Sequence, residues 1–151
     1  MSPFTDYIIF LVEGKKYGIP CTNFERVYRS IEITTLPNAP AVIQGIFNLH
    51  GEIIPVINIR IRFSIPGREI NLTDKIMVLF FNQKRFAIVV DDILTIINNQ
   101  KLLESKELYD GIDYVSGIIK NEDEIVIICN PEKLFQPDDE DFYKQSIQNL
   151  D

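Results

Sequence analysis

Few side chains in this 151-residue sequence could carry out chemistry, and they are far apart. The single histidine, His50, lies in Asn48-Leu49-His50-Gly51. As a general base it would need an orienting carboxylate and a nucleophile, and its flanking residues supply no such pair. One histidine also rules out most multi-histidine metal sites. Gly51 tolerates positive φ, so the stretch reads as a tight turn with His50 on its exposed shoulder, placed for surface contact. Asp91-Asp92 could bind a metal or share a proton. Adjacent side chains in a strand point to opposite faces, however, so after the apolar run ending at Val90 the pair reads as a turn cap. Cys21 and Cys129 form no Cys-x-x-Cys pair and read as free thiols in a reducing compartment. Asp138-Asp139-Glu140-Asp141 could hold a divalent cation weakly. Four like charges in a row repel, and the run is expected to be solvated or disordered. No Gly-rich phosphate loop, Gly-x-Ser-x-Gly or His-Glu-x-x-His occurs. No catalytic, cofactor or metal residue is assigned, and the chain is read as a non-enzyme.

The elements that must position these residues are strands. Apolar runs rich in Ile, Val, Phe and Tyr are short and separated by Gly, Asn, Pro or charged clusters. They are Tyr7–Val12, Tyr17–Pro20, Ile31–Leu36, Ile46–Leu49, Glu52–Ile57, Ile76–Phe81, Arg85–Val90, Ile93–Ile97, Val115–Ile119 and Glu124–Cys129. About ten strands suffice for two five-stranded sheets. Arg60 and Arg62 alternate with Ile59, Ile61 and Phe63. If extended, they form either a solvated basic face or a partner contact. Thr22-Asn23-Phe24-Glu25 reads as a capping box that starts a helical turn or two through Tyr28. Asn130 followed by Pro131-Glu132-Lys133-Leu134-Phe135 suits a short helix.

An internal repeat orders these runs. Ile8 to Val12, a turn and Tyr17-Gly18-Ile19-Pro20 are echoed by Ile76 to Phe80, a turn and Phe86 to Val89, at a shift of 68 that becomes 69 after the turn. Gly45-Ile46 and Glu52 to Asn58 are echoed by Gly117-Ile118 and Glu124 to Asn130 at a shift of 72. Each half reads hairpin, connection, Gly-Ile strand, turn, Glu-Ile strand, Asn. Two similar β lobes, each closing its sheet to hide its edges, account for this. Gly45, before a strand, answers either a positive φ or a close backbone approach.

Formal charge is −7 and the pI about 4.7. Residues 1–72 hold 7 Lys+Arg against 6 Asp+Glu, and residues 73–151 hold 8 against 16. An acidic chain repels a phosphate backbone, so no nucleic-acid partner is expected. Tyr7–Val12 is too short and lacks the basic start of a signal peptide, and no run approaches a membrane span. A cytoplasmic protein with no direct membrane insertion is expected.

On these motifs the sequence resembles the CheW family of bacterial chemosensory scaffolds over roughly residues 5–137. The resemblance rests on Tyr17-Gly18-Ile19, Pro40-Ala41-Val42-Ile43-Gln44-Gly45-Ile46, the block Asn48-Leu49-His50-Gly51-Glu52-Ile53-Ile54-Pro55-Val56-Ile57-Asn58-Ile59, Ile88-Val89-Val90-Asp91 and Gly117-Ile118. It implies an all-β fold of two similar five-stranded, SH3-like β-barrel lobes. These would share a hydrophobic core, with one or two short helices and the chain crossing between lobes; the charge run leaves residues 138–151 as an acidic tail beyond the resemblance. It also implies a non-catalytic adaptor. The partners would be the regulatory domain of a CheA-type histidine kinase, the helical-hairpin tip of a chemoreceptor in a groove between lobes, and other CheW-like domains in rings. By position, Phe24 and Arg26 match a partner-facing segment. Gly45 and His50 match the Gly and Arg tied to receptor and kinase coupling, and Ile93 and Ile96 match apolar positions near the receptor groove. Three departures stand out: Arg26 where the family often has Glu, His50 where it has Arg, and Asn58 where Asp is usual. Swimming, twitching or another output would be served equally. A β-barrel binding oligonucleotides or small ligands is the alternative from another class, opposed by the acidic balance and the absence of a basic-aromatic groove.

Overall fold

The computed structural model describes residues 4–29, 33–103 and 111–148. Ten strands run in chain order: β1 Phe4–Val12, β2 Lys15–Pro20, β3 Phe24–Arg29, β4 Ile43–Leu49, β5 Glu52–Ile57, β6 Lys75–Phe81, β7 Lys84–Val90, β8 Asp92–Lys101, β9 Val115–Asn121 and β10 Glu124–Cys129. A 3₁₀ turn at Cys21–Asn23 precedes β3, and the helices are α1 Ile59–Arg62, α2 Pro131–Leu134 and α3 Pro137–Gln148. Tight hairpin turns follow from residues that accept positive φ. Glu13-Gly14, His50-Gly51 and Asn82-Gln83 each place both central residues there, the twist that matches right-handed strands.

The strands form two five-stranded sheets, β8-β1-β2-β10-β9 (lobe 1) and β3-β6-β7-β5-β4 (lobe 2). Each contains one parallel pair, β2 with β10 and β7 with β5, at equivalent places. The two repeats in the sequence are therefore not the two lobes. Lobe 2 is the contiguous stretch β3 to β7, whereas lobe 1 joins β1 and β2 to β8, β9 and β10.

Both sheets close on themselves. Thr34 exchanges two backbone hydrogen bonds of 2.8 Å with Ile46, and Leu103 exchanges two of 2.9 Å with Ile118. Each seam has a glycine next to it. A Cβ on Gly45 would lie 2.4 Å from the Thr34 carbonyl oxygen, and one on Gly117 would lie 2.8 Å from that of Leu103. Of the two reasons offered for Gly45, close backbone approach is the operative one.

Alternation along the strands explains why the apolar runs are nearly continuous. On β1, Ile8, Phe10 and Val12 enter a core shared by both lobes, while Tyr7 and Ile9 fill the interior of lobe 1. On β6, Met77 and Leu79 join the shared core, while Ile76 and Val78 fill lobe 2. Inner strands are buried on both faces, and each large apolar side chain buried there contributes about 1.5–3 kcal/mol. Aromatic side chains cross between lobes in matching fashion. Phe63, after α1, stacks on Tyr17 of lobe 1 at 4.5 Å, and Phe135, after α2, packs on Phe86 of lobe 2 at 5.3 Å. The repeated asparagines cap the helices that make these crossings. The Asn58 side chain accepts from Arg60 N and Ile61 N, and that of Asn130 from Glu132 N.

Several sequence expectations are corrected. Thr22 to Tyr28 is not helical: a 3₁₀ turn leads directly into β3, which pairs with β6. Of the run Ile31–Leu36, the first two residues lie outside the described ones, and Thr34 forms only the isolated bridge. Ile59 to Arg62 is α1, not an extended segment. Arg60 is buried and pairs with Glu13 and, at 2.8 Å, with Asp91, while Arg62 pairs with Asp139. Both arginines are thus engaged within the chain. The acidic run does not stay free either: it opens α3, where carboxylates favour the positive end of the helix dipole. Asp139 is buried and accepts from Gln136 N at 2.9 Å, the return half of a capping box.

Candidate docking site

Two of the singled-out residues meet on lobe 2. β3 carries Arg26, and the β4–β5 turn carries His50 with its φ of 51°. That turn is fixed by Asn48, whose side-chain oxygen accepts from Gly51 N at 2.8 Å. The two residues line a shallow pocket of about 240 Å³ with Glu25, Tyr28, Leu49, Glu52 and Arg85. Arg85, on β7, ties the floor together, donating to Glu25 at 2.9 Å and to Glu52 at 2.7 Å. These pairs hold the Arg85 guanidinium above its ordinary pKa, Glu25 most of all. Arg26 and His50 are exposed, and neither makes an ion pair or side-chain hydrogen bond among the described residues. The pocket floor, two carboxylates against one guanidinium, keeps a net negative charge, and the rim has unused hydrogen-bonding capacity.

The other singled-out residues lie elsewhere. Phe24 begins β3 half-buried against the shared core, and Gly45 is buried at the seam of lobe 2. Ile93 and Ile96 are on β8 of lobe 1, opposite Phe10 and Ile8. The register shifts by one residue at Leu94, a β-bulge, so both isoleucines lie on the face of the sheet that carries Phe10 and Ile8. Ile93 packs against the shared core, while Ile96 is 52% exposed. Leu94, two residues before Ile96, is exposed as well, so β8 carries two exposed apolar side chains. Sequence reading missed Leu94, Arg85, Glu25 and Glu52. Glu52 is two residues from His50, but only the cross-strand register, a non-local property, brings Arg85 and Glu25 beside it.

A polar clasp sets the lobes against each other. Asp91, where the chain passes from β7 to β8, accepts from Glu13 N at 2.9 Å and from Arg68 at 2.7 Å, besides its pair with Arg60. Arg68 also forks onto Asp74 with two 2.8 Å bonds. Burial alone would raise the Asp74 carboxyl, but the Arg68 guanidinium and the Asn71 N–H outweigh it and the pKa falls. The Arg60 and Asp74 side chains are buried, so removing the partners of either would leave a charge uncompensated away from water, and the clasp favours one mutual arrangement of the lobes.

Nothing in this arrangement performs bond chemistry. Among the described residues His50 has no orienting carboxylate, and burial pushes the Cys21 and Cys129 thiols upward, away from the reactive thiolate. Among the described residues no three His, Cys, Asp or Glu side chains converge as a metal site would require, and no helix is long and apolar enough to cross a membrane. The geometry suits recognition of another protein.

Comparison with known proteins bears on this. Residues 6–139 match the family model described as CheW-like domain. The chemotaxis protein CheW of Klebsiella aerogenes is 25% identical over 138 residues, covering 89% of this chain and 83% of that protein. The CheW of Helicobacter pylori is 26% identical over 135 residues, covering 87% and 82%. The crystal structure of the scaffolding protein TtCheW from Thermoanaerobacter tengcongensis superposes with a TM-score of 0.81 at 27% identity, covering 89% of this chain and 94% of that one.

Proposed function

The chain belongs to the CheW-like family, a family of non-catalytic chemotaxis scaffolds, and from that premise we propose that it couples chemoreceptors to a CheA-type histidine kinase in the cytoplasm. The observation that carries this reading is the presence of two unlike surfaces on two rigidly clasped lobes. Lobe 2 offers the charged pocket rimmed by Arg26 and His50. Lobe 1 offers the exposed apolar side chains of Leu94 and Ile96 on β8. An adaptor needs two docking surfaces of different character, so that its partners do not compete.

In this reading the kinase regulatory domain, itself similar in fold, docks on the pocket of lobe 2. The receptor's helical tip lays its apolar side against β8, with Ile93 supporting that strand from within. Phe24 and Gly45 act indirectly, by setting β3 and closing the seam beneath Arg26. Ring contacts with other CheW-like domains, alike in fold to the kinase domain, use the pocket of lobe 2 in its place. The departures at Arg26 and His50 call for a partner that presents a carboxylate to Arg26, and His50 supplies fewer donors than the usual Arg.

Binding of this protein to the kinase domain and to a receptor-tip fragment from the same cell tests the assignment. Arg26→Glu is expected to weaken kinase binding about tenfold and leave receptor binding within about twofold. Ile96→Asp is expected to do the reverse. If neither partner binds at roughly 100 µM, a free energy of about −5.5 kcal/mol, the reading fails. It also fails if both variants weaken both partners equally, because that would mean one shared surface.

A further inference from the structure

The internal repeat exposes an asymmetry on the surface. On lobe 2, α3 is seated beside the parallel pair β5 and β7. Glu140 pairs with Lys84, the first residue of β7, and the Tyr143 hydroxyl donates to the Ile53 carbonyl on β5 at 3.2 Å. Lobe 1 contains the same structure in β10 and β2. Lys15 stands where Lys84 stands, 69 residues earlier, and Ile125 stands where Ile53 stands, 72 residues later. The next ion pair is reproduced as well, Lys16 with Glu124 at 2.6 Å against Arg85 with Glu52 at 2.7 Å. What lobe 1 lacks among the described residues is the helix. The segment after α1 turns through Ser64, φ 59°, into the clasp and on to β6, so among the described residues nothing plays the part of α3 there.

The consequence is an open notch of about 390 Å³ lined by Gly14, Lys15, Lys16, Glu124, Ile125 and Ile127. Ile125 is 59% exposed, and Lys15 has no ion-pair partner among the described residues. With Lys16 and Glu124 paired, the notch carries one uncompensated positive charge on a chain of net charge −7. β2 and β10 are both interior strands of their sheet, so no free edge exists for an added strand. An occupant must engage through side chains, as α3 does.

We propose that this notch docks an acidic amphipathic helix of another protein. It would place a carboxylate on Lys15 and a hydroxyl-bearing aromatic side chain at the Ile125 carbonyl, the pattern Glu140 and Tyr143 set out on lobe 2. The α3 helix of a second copy is not the occupant. Its Asp139, Glu140 and Tyr143 are already engaged with Arg62, Lys84 and Ile53 of its own chain. This surface is separate from the two docking surfaces proposed above, and neither the kinase nor a receptor enters the test.

The probe is a helix-stapled peptide with the sequence of Pro137–Gln148, titrated into the isotope-labelled full chain and followed by backbone amide shifts. Saturable changes are expected at Gly14, Lys15, Glu124 and Ile125. Lys15→Glu, with its amide spectrum otherwise retained, is expected to weaken binding about three- to tenfold, in the range of an exposed charge reversal. A peptide carrying Glu140→Lys is expected to bind Lys15→Glu better than it binds the unaltered chain. The proposal is overturned by changes confined to Lys84, Ile53 and Arg62, by no change up to about 2 mM peptide, or by equal affinity for Lys15→Glu. A concentration-dependent dimer that buries Ile125 would also overturn it, because the notch would then belong to a second copy.

Discussion

Gly45 and Gly117 sit at equivalent seams, yet an added methyl group would meet different obstacles. At Gly45 it meets a backbone carbonyl at 2.4 Å, which can yield only if the strand moves. At Gly117 its two nearest contacts are the Leu102 side chain, at 2.7 and 2.8 Å, with the Leu103 carbonyl oxygen also at 2.8 Å. Overpacking of this kind costs about 1–3 kcal/mol. Gly45→Ala is expected near the top of that range and Gly117→Ala lower, measured as urea-unfolding midpoints at constant slope. The reverse order would mean that the lobe 1 seam is the stiffer one. At this scale the sequence was informative where residue type and neighbours decide the matter: the glycines, the repeated asparagines and the His50 turn were all visible. Arg60 was not. Its pairing with Glu13 and Asp91 joins residues 47 and 31 positions away, and no local pattern records such a meeting.

Among the elements, the misreadings share a cause. Ile59 to Arg62 alternates apolar and charged residues as a strand would, and four residues are too few to separate a period of 2 from one of 3.6. Phe24–Arg29 is exposed along most of its length, so it has no apolar run to announce it. It is a strand because β6 offers it an edge. The acidic run was read by its repulsion, but the helix dipole and Arg62 reverse the balance. The attachment of α3 has a pH signature. Burial, with Glu52 nearby, raises the Tyr143 hydroxyl to about 12, against about 10 in an unfolded chain. A group whose folded pKa is raised stabilises the fold below its unfolded value, so this contribution is complete below about pH 10 and is lost as pH climbs through 12. Tyr17, also raised to about 12 by burial, behaves in the same sense. Unfolding midpoints should therefore fall between pH 10 and 12. Tyr143→Phe should start lower, by about 1 kcal/mol for the lost hydrogen bond, and fall less steeply. Equal slopes for the two proteins would detach Tyr143 from the effect.

For the molecule as a whole, interleaving matters more than duplication. The repeat in the sequence suggested two lobes, and there are two, but each takes its first hairpin from one half of the repeat and its remaining strands from the other. Lobe 2 is an unbroken stretch of chain, and on that ground alone it could melt by itself. Packing argues otherwise. Phe10, Tyr17 and Ile19 of lobe 1 lie in one cluster with Ile57, Met77, Leu79, Phe86 and Ile88 of lobe 2. Phe63 and Phe135 each extend that cluster across the boundary. Unfolding either lobe first would expose the shared core of the other and strand Arg60 and Asp91 without partners, so partly unfolded states lie high in free energy. A single calorimetric transition is expected, with the calorimetric enthalpy equal to the van't Hoff value. Gly45→Ala in lobe 2 and Gly117→Ala in lobe 1 should both lower that one transition without splitting it. Two resolved transitions, each responding to only one of these substitutions, would mean that the lobes are independent bodies. A docking event on one lobe would then have no rigid path by which to orient a partner held on the other.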